Sequence, residues 1–141
     1  MLFGVKVVVV VPAFDEAPRI ARVLGGIPRE VDHIVVVDDA SRDGTAEAAR
    51  ANADPRVLVV VHSVNRGVGA AITTGYQRAL ELTSDDRDAF VVMAGDDQMH
   101  PYDLPALVEP IARGHADYVK GCRFAWPDAR RSIFNSAAAS R

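Results

Sequence analysis

The chain has 141 residues, of which 49% are hydrophobic and 25% are charged, and its formal net charge is -3. This composition predicts one globular domain with a sizeable core and argues against disorder. The negative charge argues against a nucleic-acid binder, which usually presents a basic surface. The single cysteine excludes an intramolecular disulfide, so the reducing cytoplasm is the simplest compartment.

The first apolar run, from Val7 to Val11, is too short to cross a bilayer, which takes roughly 20 apolar residues. The residues before it lack both the basic segment and the cleavage site of a signal peptide. We therefore expect no transmembrane anchor in this sequence.

Short runs of β-branched residues predict strands at 5–11, 33–38, 56–62 and 89–94. Their apolar residues do not alternate with polar ones, which is typical of parallel strands that are buried on both faces of an α/β sheet. Helical spacing lies between the runs, at 20–27, 41–52 and 72–82. The order βαβαβαβ predicts a parallel sheet covered by helices.

After the fourth run, apolar spacing predicts a further helix at 104–111 and a fifth strand at 117–121. Residues 130–141 show neither a strand pattern nor a stop signal. We expect the chain to finish within an element.

Ligands of an open parallel sheet bind outside the carboxyl ends of its strands, so the residues that follow each run are informative. Acids follow three of the four runs. Asp15 and Glu16 by themselves are explained by the preference of helix N-termini for acids, and Asp43 by helix capping. Neither explanation accounts for the consecutive acids Asp38 and Asp39, which favour a functional site.

The third run is followed by a glycine-rich segment around Gly67 and Gly69. It lacks a third glycine and does not follow the first strand, so it is weak as a dinucleotide fingerprint. A dinucleotide fingerprint would follow the first strand, but the segment after that strand contains no glycine. This absence disfavours a nicotinamide oxidoreductase. The glycines allow close approach of backbone or of a phosphate, with Arg66 as counter-charge, and both alternatives stay open.

The isolated histidines His62, His100 and His115 have no metal-ligand spacing and favour surface or packing positions over zinc ligation. Cys122 has no spaced partner histidine and is interpreted as an inert thiol. The adjacent acids Asp96 and Asp97 repel each other unless a positive group lies near them, and a metal ion would supply that charge.

Four segments in order resemble family 2 glycosyltransferases of the GT-A fold, especially polyprenyl-phosphate mannosyl- and glucosyltransferases. They are VVVPAFDEA at 9–17, VVVDDASRDGT at 35–45, NRGVGAAITTGYQRA at 65–79 and ADYVKGCRF at 116–124. The resemblance covers nearly the whole chain. It implies a Rossmann-like α/β/α sandwich with a mainly parallel sheet.

The resemblance also implies an activity: inverting transfer of a sugar from a donor of the UDP-glucose or GDP-mannose type. The acceptor would be a polyprenyl phosphate or a glycan, and the enzyme would work at the cytoplasmic face of the membrane. The chain is short for this fold, so we expect residues 1–141 to form a single donor-binding domain, truncated at its C-terminus, with the acceptor portion largely absent. The alternative is a noncatalytic or degenerate nucleotide-sugar-binding fragment.

By the same resemblance, one set of residues lines the nucleotide-sugar pocket: Pro12, Ala13, Asp15, Glu16, Asp38, Asp39, Ser41, Asp43, Arg66, Gly67 and Asp96. Asp96 would be the catalytic residue and would hold Mg²⁺ or Mn²⁺ together with Gln98 and Asp97. The family pattern D-x-D-x-Q places Ala94 at its first acid, so one expected metal ligand is missing. Asp97 would either supply the lost carboxylate from a shifted position or stay solvated. Asp96 is therefore favoured over Asp97, as part of a reduced motif in which phosphate oxygens complete the coordination.

Overall fold

The computed structural model describes residues 1–121 and 137–140, so Cys122 and the end of the segment 116–124 lie outside the described residues. The elements are β1 Val7–Ala13, α1 Ala17–Gly26, β2 His33–Asp38, α2 Thr45–Arg50, β3 Val57–Val61, α3 Val68–Leu82, β4 Ala89–Val92, a 3₁₀ turn Pro101–Asp103, α4 Leu104–Ala112, β5 Tyr118–Gly121 and β6 Ala137–Ser140. The predicted βαβαβαβ order is confirmed. No helix in the described part of the chain is both long enough and apolar enough to cross a membrane.

The first four strands form one parallel sheet in the order β3-β2-β1-β4. Ala13 at the end of β1 lies opposite Asp38 at the end of β2, and Asp38 lies opposite Val61 at the end of β3. The carboxyl ends of these strands are therefore level, so the residues that follow them meet along one edge of the sheet.

The sheet is covered on both faces, which explains why its strands do not alternate apolar with polar residues. Residues Val7, Val9 and Val11 of β1 belong to a core that includes side chains of α1, α2 and α4. The intervening Val8 and Val10 belong to a second core with side chains of α3. The prediction of an α/β/α sandwich with strands buried on both faces is confirmed.

Helix α3 packs closely on β1 at Gly75, where an added Cβ would lie 2.2 Å from Cγ1 of the fully buried Val10. We expect Gly75→Ala to push α3 away from the sheet and to lower the free energy of unfolding by about 1–3 kcal/mol. Urea denaturation followed by circular dichroism measures this loss.

The matched control is Gly69 in the same helix, where an added Cβ would meet no atom within 4 Å. Gly69→Ala is expected to leave stability unchanged or to raise it by up to about 1 kcal/mol, because alanine favours the helical backbone. Equal destabilisation by the two substitutions would contradict the close contact between α3 and β1.

Strands β5 and β6 form a separate antiparallel pair, in which Tyr118 lies opposite Ser140 and Gly121 lies opposite Ala137. The predicted fifth strand is confirmed, and a sixth strand lies within residues 130–141, where the sequence shows no strand pattern. Three alanines and a serine have little strand propensity of their own. Their extended conformation depends on pairing with β5, which is distant in the sequence.

Candidate functional site

A cavity of about 300 Å³ opens at the carboxyl ends of β1 and β2. Its walls come from the end of β1, the residue after β2, and the β3–α3 loop with the start of α3: Pro12, Ala13, Phe14, Asp39, Asn65, Gly67, Val68 and Ala71. Among these lining residues, all in the described part of the chain, only Asp39 carries a charge. The cavity is a mostly apolar slot with one acidic group, located where the sheet topology predicts a ligand.

The buried carboxylate of Asp39 organises one wall of this cavity. Its Oδ1 accepts the amide N–H of Arg66 at 2.9 Å, and its Oδ2 accepts that of Gly67 at 2.7 Å. Nδ1 of His62 lies 2.7 Å from Oδ1. Gly67 has a φ of 86°, a backbone conformation that favours glycine. The loop therefore turns around the carboxylate at a residue that adopts this conformation without strain.

Burial alone would raise the pKa of Asp39. The hydrogen bonds from the Arg66 amide, the His62 ring and the Gly67 amide outweigh that effect and hold the pKa of Asp39 below its ordinary value. Asp39 is therefore ionised at neutral pH and acts as a hydrogen-bond acceptor at the cavity.

The neighbouring Asp38 has a different partner. Its carboxylate accepts both the hydroxyl and, at 3.3 Å, the amide N–H of Ser41 in the β2–α2 loop. Two consecutive acids are thus accommodated at the end of β2 because each has its own set of donors. Only Asp39 of the pair lines the cavity.

Asp15 and Ser41 join the β1–α1 loop to the β2–α2 loop. The hydroxyl oxygen of Ser41 accepts the amide N–H of Asp15 at 2.9 Å, and Oδ1 of Asp15 accepts the amide N–H of Arg42 at 2.9 Å. Asp15 adopts a left-handed backbone with a φ of 53°. These polar residues fix the shape of the loops beside the cavity, and their direct contact with a ligand stays a prediction.

Asp43 and Glu16 extend this connection. Oδ2 of Asp43 accepts the amide N–H of Ala17 at 2.9 Å, and its Oδ1 accepts the amide N–H of Thr45 at 3.0 Å. The hydroxyl oxygen of Thr45 accepts the amide N–H of Glu16 at 2.9 Å, and the Glu16 carboxylate pairs with Arg19. Asp43 therefore joins the starts of α1 and α2, although the N-cap residues of these helices are Glu16 and Gly44.

The loop after β4 begins beside the cavity, because the amide N–H of Gly95 donates to the carbonyl of Pro12 at 3.1 Å. The next residue, Asp96, is half-buried and accepts the amide N–H of Gln98 at 3.1 Å. Asp97 instead forms an ion pair with Nε of Arg22 on α1 at 2.8 Å. The positive partner of Asp97 in this structure is therefore an arginine, which the sequence patterns did not indicate.

A divalent cation fits this loop only as part of a shared site. In the described residues, no group of three or more His, Cys, Asp or Glu side chains could hold a metal ion alone. Asp96 and Gln98 offer a carboxylate and an amide oxygen. Mg²⁺ typically binds one or two carboxylates together with substrate phosphates and water, so this donor set fits a cation that a bound diphosphate helps to hold.

Sequence reasoning named half of the cavity wall and missed the other half. The cavity lining includes Pro12, Ala13, Asp39 and Gly67, which are among the predicted site residues, and also Phe14, Asn65, Val68 and Ala71, which are not. The missed residues all lie within the quoted segments 9–17 and 65–79. Most are apolar, and a search for charged groups after each strand does not find them. His62 was interpreted as a surface or packing residue, and it is buried.

The chain matches the family model described as Glycosyl transferase family 2 over residues 8–138. It belongs to this family. This family 2 chain is 33% identical over 139 residues to the undecaprenyl-phosphate mannosyltransferase of Micrococcus luteus, covering 91% of the chain and 55% of that protein. It is 32% identical over 143 residues to the dolichol-phosphate mannosyltransferase of Pyrococcus furiosus, covering 94% of the chain and 39% of that protein. The chain thus spans about half the length, or less, of the curated relatives it matches.

The family fold is also found among solved structures. The glucosyl-3-phosphoglycerate synthase of Mycobacterium tuberculosis, in complex with Mn²⁺, UDP-glucose and phosphoglyceric acid, superposes with a TM-score of 0.61 at 31% identity. The match covers 79% of this chain and 40% of that one. The predicted resemblance to family 2 and the predicted GT-A fold are both confirmed.

Proposed function

We propose that this family 2 chain is the donor-binding part of an inverting glycosyltransferase that uses a nucleoside diphosphate sugar. The observation that carries the proposal is the apolar cavity with the ionised Asp39 in its wall, directly beside Gly95 in the loop after β4. Its volume of about 300 Å³ is at the lower end of the usual range of small-molecule sites, roughly 300–1,000 Å³, and suits a nucleoside.

The nucleoside is held by complementary surfaces. The planar base packs against apolar side chains such as Phe14 and Val68, while the carboxylate of Asp39 accepts an N–H of the base. Uracil and guanine both carry a ring N–H, so this chemistry serves either UDP or GDP donors. The Mn²⁺ and UDP-glucose in the mycobacterial structure favour a uridine donor as the first to test.

The diphosphate would lie toward Asp96, with Mg²⁺ or Mn²⁺ held by Asp96 and Gln98. When bound, the cation would neutralise the charge that develops on the diphosphate leaving group. In this proposal Asp97 stays paired with Arg22. Phosphate oxygens replace the metal ligand that is missing because Ala94 stands at the first acid of the family pattern.

A polyprenyl phosphate is the acceptor that the names of the relatives favour. A phosphate oxygen is already anionic at neutral pH, so its attack on the anomeric carbon needs no general base. A lipid-linked acceptor would bring the protein to the cytoplasmic membrane face. A glycan hydroxyl acceptor would instead need a base to take its proton.

Calorimetric titration with UDP-glucose and with GDP-mannose, each in Mn²⁺, Mg²⁺ or EDTA, tests the proposal. We expect binding of one donor that is strengthened by a divalent cation, and no binding of NADH. Failure of both donors to bind under every condition would overturn the proposal. Tight donor binding without sugar transfer to undecaprenyl phosphate would support the alternative of a noncatalytic nucleotide-sugar-binding module.

A further inference from the structure

His62 occupies a buried position behind the cavity wall, between the end of β3 and helix α3. Only 7% of its side chain is exposed, and it is not among the residues that line the cavity. Nδ1 lies 2.7 Å from Oδ1 of Asp39, and Nε2 lies 2.9 Å from the hydroxyl oxygen of Thr74. Its amide N–H donates to the carbonyl of Asp38 at 2.9 Å, so both its backbone and its ring are held.

The partners of the ring determine where its proton lies. An ionised carboxylate only accepts hydrogen bonds, so Nδ1 of His62 must carry the hydrogen that Asp39 receives. When the ring carries this one hydrogen, Nε2 is an acceptor to which the hydroxyl of Thr74 donates. A chain of hydrogen bonds therefore runs from Thr74 in α3 through His62 to Asp39 at the cavity.

The carboxylate of Asp39 also binds the β3–α3 loop. Residues 63–67 of this loop are exposed. The amide N–H groups of Arg66 and Gly67 in this loop donate hydrogen bonds to the carboxylate of Asp39. His62 provides the side-chain donor to this carboxylate, and without it only the amides of the loop itself would hold Asp39. The exposed loop and a buried ring outside the cavity lining therefore share one carboxylate.

We infer that His62 is a positioning residue, which orients the carboxylate of Asp39 and through it the β3–α3 loop that forms one wall of the nucleotide cavity. The effect on nucleotide affinity rests on the proposed function, whereas the effect on the loop does not. Two kinds of measurement therefore test the inference separately.

The first measurement needs no ligand. Long-range ¹H–¹⁵N correlation spectra of the protein at neutral pH report which ring nitrogen of His62 carries a hydrogen. The expected result is a protonated Nδ1, although free neutral imidazole side chains favour the other tautomer. An unprotonated Nδ1 would overturn the inference, whatever the protein binds.

The second measurement uses variants of the ring. His62→Phe removes both hydrogen bonds and keeps a ring of similar size, whereas His62→Asn keeps an N–H donor near the position of Nδ1. We expect His62→Phe to shift the amide resonances of Arg66 and Gly67 and to raise the Kd of UDP about tenfold, the size of one lost hydrogen bond to a charged group. His62→Asn is expected to stay within about threefold of the wild type, a change too small to represent such a loss.

Thr74→Val serves as the matched control at the other ring nitrogen. It leaves the Asp39 contact in place, so its effect on the loop amides and on the Kd of UDP should lie between those of the wild type and His62→Phe. Circular dichroism shows whether each variant is folded; if His62→Phe does not fold, the spectra of His62→Asn and Thr74→Val still report the loop amides.

Unchanged loop amides in a folded His62→Phe, or equal damage from His62→Asn, would overturn the positioning role. If the wild type binds no nucleotide, the proposed function fails, and the amide and ring resonances alone decide the role of His62.

Discussion

Asp39→Ala is expected to lower the free energy of unfolding by about 2–4 kcal/mol and to abolish measurable UDP binding. The substitution leaves the buried ring N–H of His62 without an acceptor and frees the amides of Arg66 and Gly67 from the carboxylate that holds them. Leaving a buried donor unpaired costs more than an average hydrogen bond contributes. Urea denaturation measures the first effect, and calorimetry at a temperature where the variant is folded measures the second.

Asp39→Asn is the matched variant, since it keeps the volume and one acceptor oxygen while removing the charge. We expect a smaller loss of stability than for Asp39→Ala, together with weakened nucleotide binding. A variant that binds UDP as well as the wild type would contradict the proposed role of the carboxylate at the base.

Acid provides a further test of the same group. The pKa of Asp39 is held below its ordinary value of 3.8 in the folded protein. Its contribution to stability is therefore present above about pH 4 and is lost as the pH falls through the lower, folded-state pKa. The wild type should lose stability in this acid range more steeply than Asp39→Asn, and parallel curves would contradict the lowered pKa.

Asp96→Asn is expected to remove the strengthening of donor binding by Mn²⁺, with an affinity about 100-fold weaker in the presence of the cation. The physical reason is that the proposed site offers one carboxylate, and its loss leaves amide oxygens that bind a hard cation weakly. Calorimetric titration of UDP-glucose in Mn²⁺ and in EDTA measures the difference. In EDTA, the variant and the wild type should bind alike.

Asp97→Asn and Arg22→Gln are the controls, because they break one exposed ion pair from its two ends. Exposed pairs contribute little, so both variants should keep donor affinity in Mn²⁺ within about threefold of the wild type. A loss in Asp97→Asn as large as that in Asp96→Asn would show that Asp97 leaves Arg22 to bind the metal, contrary to the proposal.

Much of the fold could be predicted because a strand that is buried on both faces appears in the sequence as a continuous run of apolar residues. Continuous runs such as 7–11 and 33–38 predict strands covered on both faces, and the sheet has those strands. The strand β6 could not be predicted in this way, because Ala137–Ser140 contains no run of β-branched residues and forms its strand hydrogen bonds with β5.

The candidate site was predictable in place but not in detail. Parallel strands bring their carboxyl ends to one edge, so the residues after each strand were expected to meet there, and they do. The patterns could not tell that Asp39 faces the cavity while Asp38 holds Ser41, because both acids occupy the same kind of position in the sequence.

The sequence by itself determined the parallel α/β fold, the membership of family 2 and the edge of the sheet at which the cavity lies. The tertiary structure alone decided the partners of the charged groups: His62 with Asp39 and Arg22 with Asp97. The physical reason is that the burial of a strand or helix depends on the apolar character of its own consecutive residues, which the sequence shows directly. A hydrogen bond or ion pair instead needs two particular groups, distant in sequence, to be brought within about 3 Å by the packing of the elements that carry them.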